Sequence, residues 1–416
     1  MSSSHATVDS HDGGSFGAHV SLPAAGRGPG LVLCPDNLGI DAAARALADT
    51  LAEEGYVVFV PDLSRHLGVG ADPEPGAADV GFAKERRERL DSTQAVGDIG
   101  ATVATLRAHP AFRGQVGAVG HGLGGRLAVL AAASGHADCL VVHDGAGLER
   151  VTDALRSIEV PLVLHMAADD RVTPTAVIET VRAAVAGNAS AEVYVYPGVA
   201  AGFGSPGRAA YDRPAAGMAH TRSVAILRKV LGPHYDLSAL WEAHRHCEFV
   251  SRDADATMRT MVAEPYVNHV PTLTGGFGQA ELHRFYRDHF IPGNPSDMRS
   301  IPISRTVGAD RVVNEGILCF THDREIEWML PGIPPTGRYV EVALVGIITF
   351  RGDKLVHEHI YWDQASVLVQ IGLLDPRGLP VAGIESARKV LNPELPANSR
   401  MPRWQRDAAD HEPTGD

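Results

Sequence analysis

The chain has 416 residues, more than one hydrophobic core usually organises, so two domains are expected. Its 44% hydrophobic and 21% charged residues are those of a globular protein, and a net charge of −13 excludes the clustered basic face that nucleic acid or an anionic membrane requires. Four cysteines with no C-x-x-C spacing point to a reduced, cytoplasmic protein without structural zinc, and no apolar run is long enough to span a bilayer.

Residues 1–12 are polar, lack the apolar core of a signal peptide and are expected to be disordered, as is the tail 398–416. The run 30–34 (GLVLC) ends at Pro35 and reads as a buried parallel strand. Helical periodicity covers 41–54 until Gly55 stops it, and 56–60 (YVVFV) is the next strand. Lys84 to Arg89 (KERRER) mixes both charges and reads as a solvated helix face. Then follow a helix over 91–108, a strand over 115–119, a helix over 123–134, strands at 139–143, 161–165 and 193–196, and a helix within 211–231. This alternation predicts a mostly parallel, doubly wound α/β sheet whose ligands sit at the carboxyl ends of its strands.

Between the third of these strands and its helix stands Val119-Gly120-His121-Gly122-Leu123-Gly124-Gly125. It has the shape of a nucleophile elbow, G-x-S-x-G or G-x-C-x-G, but glycine occupies the position of the reactive side chain. Gly122 cannot form a covalent intermediate. These residues resemble the dienelactone hydrolase family of α/β-hydrolases, over roughly 13–232. The family's acid motif is matched by His165-Met166-Ala167-Ala168-Asp169-Asp170-Arg171-Val172-Thr173-Pro174, with Asp170 at the acid position. Its histidine motif is matched by Tyr196-Pro197-Gly198-Val199-Ala200-Ala201-Gly202-Phe203, with Ala201 where the histidine belongs. The family's glutamate after the first strand corresponds to Asp36. The resemblance therefore implies a hydrolase-like domain that lacks nucleophile and base, and a triad works only as a unit. Asp36, His121 and Asp170 remain as candidate binding groups. A rival reading keeps ester or lactone hydrolysis here, with His121 recruited or water activated by Asp36 or Asp170.

After a junction near 232–236 the texture changes. Helices are expected over 237–251, over 256–262 with Asp255 as cap, and over 279–290, with a short extended piece at 266–271. Four long strands follow, at 297–307, 311–323, 339–351 and 354–363, the last two joined by a turn at Gly352-Asp353. Three helices and a curved antiparallel sheet give an α+β cone over 236–395. The loop Pro331-Gly332-Ile333-Pro334-Pro335-Thr336-Gly337-Arg338, the closing strand Gly352 to Asp363 and the run Leu368 to Leu374 are similar to the SnoaL-like polyketide cyclases of the nuclear transport factor 2-like superfamily.

Strand parity puts His357, His359, Tyr361 and Asp363 on one face and Glu358, Ile360 and Trp362 on the other. With the first set lining the cone, Asp363 is the expected general acid or base, His359 its partner, and Tyr361 and His269 bind the substrate oxygen. Trp362, His322 and Trp328 are expected to contact substrate. His244 and His246, two apart on a helix, do not share a face. No metal and no cofactor are expected. The favoured function is proton transfer (cyclisation, isomerisation or dehydration) on a small hydrophobic carbonyl or lactone compound; a non-catalytic binding protein is the remaining alternative. The superfamily resemblance implies a homodimer, and neither nucleic acid nor membrane is an expected partner.

Overall fold

The computed structural model describes residues 2–36, 38–67, 90–170 and 173–404. The KERRER segment and tail residues 405–416 lie outside them. The chain forms two compact units, Met1–Tyr235 and Asp236–Asp416.

The first unit is an eight-stranded sheet. Its strands are β1 (Ser2–Asp9), β2 (Ser15–Leu22), β3 (Gly28–Cys34), β4 (Val57–Pro61), β5 (Phe112–His121), β6 (Cys139–His143), β7 (Leu162–Ala167) and β8 (Ala191–Tyr196), in the order β1-β2-β4-β3-β5-β6-β7-β8. From β4 to β8 every pairing is parallel; β1–β2 and β2–β4 are antiparallel. The expected disorder of residues 1–12 is thus corrected. Ser2 to Asp9 pair in register with Leu22 to Ser15, and Val8 is fully buried. An edge strand held by its backbone ladder needs little apolar side chain, so its serines hid it.

Helices cover both faces: α1 (Ala42–Glu53), α2 (Ser92–Ala108), α3 (Gly122–Ala133), α4 (Thr152–Ser157), α5 (Thr175–Val185) and α6 (Arg213–Leu231). Asp41 and Asp91 cap the first two by accepting from Ala44 and from Thr93 and Gln94, the sequence's own start signals. β3 and β4 are buried along their whole length, because helices shield them on both sides.

The second unit begins with α7 (Leu237–Arg245), which runs into a π-helical turn, His246–Val250. Then come α8 (Ala254–Arg259), β9 (Met261–His269), β10 (Thr274–Phe277) and α9 (Gly278–Arg284), which also ends in a π turn, Phe285–Phe290. Strands β11 (Arg299–Val307), β12 (Arg311–Thr321), β13 (Tyr339–Arg351) and β14 (Lys354–Trp362) complete a six-stranded sheet ordered β10-β9-β14-β13-β12-β11. Two short helices, α10 (Gln364–Gln370) and α11 (Ile384–Leu391), close the unit. Asp253, not Asp255, caps α8 by accepting from Ala256. Residues 402–404 add a helical turn, and Arg400 bonds Glu385 at 3.0 Å, so order continues past position 398.

Candidate functional site

β5 delivers its last residue, His121, directly into α3, and Gly122 at the apex keeps φ at +50°. The elbow is therefore built, glycines included. A Cβ on Gly124 would lie 2.2 Å from the carbonyl oxygen of Cys34, so only glycine lets α3 start against β3. The apex itself is filled by a neighbour. A Cβ on Gly122 would lie 1.8 Å from Oδ1 of Asp36. That oxygen accepts from the backbone N–H of Leu123 at 3.0 Å, the donor that in an α/β-hydrolase stabilises the oxyanion. The other Asp36 oxygen lies 3.3 Å from Nη1 of Arg208, and both side chains are partly exposed. A carboxylate with a cation beside it thus stands where a nucleophile would act.

Asp144, just past β6, was not singled out by the sequence reading. Its backbone is left-handed at φ +49°, a strained conformation common at functional sites. Oδ2 accepts from Gly202 N–H at 2.7 Å, next to Ala201, while Oδ1 is buried without a hydrogen bond. Burial pushes its pKa up to about 7; the Gly202 N–H opposes this and the charge of Asp170 adds to it. Asp170 follows β7 as expected and acts on Asp144 through its charge.

His121 and His143, the last residues of β5 and β6, stand in register with His165 of β7. Their neighbouring ring centroids are 4.5 Å apart, and the first pair is stacked within 3° of parallel. Burial lowers all three pKa values, His121 to about 4 and His165 to about 3, so they are neutral at pH 7. The network around His165 is directional. Arg222 donates to the Tyr196 oxygen, Tyr196 to Nδ1, Nε2–H to Ser223 and Ser223 to the Ala219 carbonyl. His121 is thus a packing neighbour of the elbow and carries no charge there.

In the second unit the inward face of β14 is the opposite of the one expected. Glu358, Ile360 and Trp362 are buried, Tyr361 is exposed, and His357 and His359 are half-buried. The reason is hydrophobic: Ile360 and Trp362 carry more apolar area than the histidine face, and the sheet buries that side. His359 packs against Tyr266 and His357 outside the cavity. Asp363 is exposed and is the N-cap of α10, accepting from Ala365 and Ser366. Asp363, His359 and Tyr361 therefore do not form a catalytic set. His322 is buried on Thr336, away from the cavity. Trp362 packs edge-on to Trp328, with its N–H held by Gln364.

His269 and Trp328 do line the cavity, of about 80 Å³, between the helices and the sheet. Nδ1–H of His269 donates to the Thr274 carbonyl at 3.3 Å, leaving Nε2 as an acceptor, and burial lowers its pKa to about 4. The polar wall includes Glu358, from the strand face expected to turn away, and Glu248, Tyr286 and Asn314, which the sequence did not single out. Glu248 and Phe249 come from the first π turn, Tyr286 and Phe290 from the second. Such turns recur where a helix must aim side chains at a site. Behind the two glutamates lies fully buried His244, four residues before Glu248 on the same helical face. That spacing was the legible signal. Its Nε2 is 3.2 Å from Glu248 Oε1 and 3.0 Å from Glu358 Oε1. Burial opposes a charge on His244, but the two carboxylates outweigh it and push its pKa up to about 10.

Residues 16–231 match the model of the dienelactone hydrolase family. The chain is 30% identical over 222 residues to carboxymethylenebutenolidase from Pseudomonas putida, covering 53% of this chain and 94% of that protein. It is 34% identical over 169 residues to carboxymethylenebutenolidase from Pseudomonas sp. strain P51, covering 39% and 69% respectively. Among solved structures it is similar to a dienelactone hydrolase-like promiscuous phosphotriesterase from metagenomic libraries, with 20% identity, 56% and 100% coverage and a TM-score of 0.47. The family match ends before the second unit.

Proposed function

The chain belongs to the dienelactone hydrolase family, a family of hydrolases, through its first unit, and from that premise we propose that this unit hydrolyses a lactone or ester by direct attack of water. The observation that carries the reading is the Asp36 carboxylate on the elbow, held by Leu123 N–H and paired with Arg208. Asp36 takes a proton from water as the oxygen adds to the carbonyl carbon. The Arg208 guanidinium receives the charge that develops on the carbonyl oxygen. Asp144, protonated below about pH 7, returns a proton to the leaving oxygen from beside Ala201, where the family's base is missing. Single turnover of an enol-lactone or aryl ester in ¹⁸O-water tests the route. Label is expected in the product acid alone, and Asp36→Asn is expected to slow turnover at least about 100-fold. Label in the Asp36 carboxyl, or full activity in Asp36→Asn, refutes water attack.

A second reading concerns the other unit, whose resemblance to SnoaL-like cyclases is supported by its helices and sheet around an aromatic cavity. It is proton transfer beside a carbonyl, favoured by His269, Tyr286, Asn314 and Glu358 converging on one enclosed space. Small hydrophobic carbonyl compounds are the class that fits this lining.

A further inference from the structure

We infer that His244, Glu248 and Glu358 hold a divalent first-row transition-metal ion against the wall of the C-terminal cavity. The inference goes beyond the proposed hydrolysis and does not depend on it. One donor atom from each of the three lies within 4.8 Å of the others, and all three residues are buried. Nε2 of His244 touches both carboxylates by distance, yet makes no hydrogen bond of acceptable angle. With bonds of about 2.1 Å, ligands of one ion sit about 3.0 Å apart in octahedral and about 3.4 Å apart in tetrahedral geometry. The separations of 3.0 and 3.2 Å fall in that interval.

The far side of the imidazole is prepared in the same sense. Thr260 Oγ1 donates its one hydrogen to the Thr257 carbonyl at 2.6 Å, so its lone pair receives Nδ1–H of His244, also at 2.6 Å. This holds a proton on Nδ1, so that the ion takes the place of the Nε2 proton that the two carboxylates otherwise retain, the usual support of a metal-bound histidine. Charge agrees: a dication with two carboxylates and a neutral imidazole sums to zero, which a buried site favours. Tyr286 donates to Glu358 Oε1 at 3.4 Å and steadies that ligand. One nitrogen and two oxygens suit zinc or manganese, and three protein ligands leave positions open toward the cavity for an oxygen of a bound carbonyl or carboxylate compound.

The test uses the full chain, stripped with EDTA, desalted and titrated separately with Zn²⁺ and Mn²⁺, with bound metal counted by plasma mass spectrometry. We expect one equivalent of at least one ion per chain, with affinity lowered at least about tenfold by Glu248→Gln and by Glu358→Gln. Uptake below a tenth of an equivalent, or undiminished uptake in both variants, overturns the proposal. Should circular dichroism show that the variants do not fold, X-ray absorption fine structure of the zinc-loaded wild type decides. One imidazole with carboxylate oxygens supports the site; a sulfur-containing or water-only shell overturns it.

Discussion

Asp144 shows how one buried carboxyl couples chemistry to stability. Its pKa is 3.8 in the unfolded chain and about 7 in the fold, so between these values the folded state holds a proton that the unfolded state lacks. The stability it contributes is complete below about pH 4 and lost as pH rises through 7, at most about 4 kcal/mol. Asn at this position keeps an acceptor for Gly202 N–H and carries no charge. Asp144→Asn is therefore expected to flatten the decline in melting temperature between pH 5 and pH 8, by roughly the amount the linkage predicts. An unchanged pH–stability curve would show that this carboxyl is solvated. The same variant is expected to slow ester turnover at pH 6, because the leaving oxygen loses its acid. At the neighbouring apex, a side chain at position 122 competes with Asp36 for one space, so reinstating a nucleophile there requires removing the carboxylate first.

At the level of elements, most strands and helices were legible from apolar runs and capping aspartates, because burial and capping leave local marks. The elbow was legible because its glycines are demanded by close approach. What could not be read was which side of β14 turns inward. Parity sorts residues into two sets but does not orient them. The concentration of His357, His359, Tyr361 and Asp363 suggested chemistry, whereas Ile360 and Trp362 decided burial. Strand β1 escaped notice because its stabilisation lies in backbone pairing. Asp363, read as an acid or base, belongs to α10 as its cap. Asp363→Ala is expected to cost about 1 kcal/mol in denaturant unfolding, with no change in ligand or metal binding in the cavity. A loss of binding in a fully folded Asp363→Ala protein would restore the earlier assignment.

Across the whole molecule, the two candidate centres share no residue: Asp36, Asp144 and Arg208 lie within Met1–Tyr235, and His244, Glu248 and Glu358 within Asp236–Asp416. Asp36→Asn is thus expected to slow ester hydrolysis at least about 100-fold and leave metal uptake intact, while Glu358→Gln weakens metal uptake and leaves ester hydrolysis intact. Loss of both properties in either variant would mean that one centre serves the other. Among the described residues no helix is long and apolar enough to cross a membrane, and the four cysteines are unpaired.

The π turn at 246–250 closes with Ser251 N–H on the His246 carbonyl, five residues back. Such a turn carries one residue more than an α-helix of the same length. Removing one residue between His244 and Glu248 would cut their spacing from four to three and move Glu248 by about 100° around the helix axis relative to His244. A chain that lacks Cys247 yet keeps Glu248 is then expected to lose its ion, so that the length of this one turn, as much as its carboxylate, sets whether the cleft can be loaded.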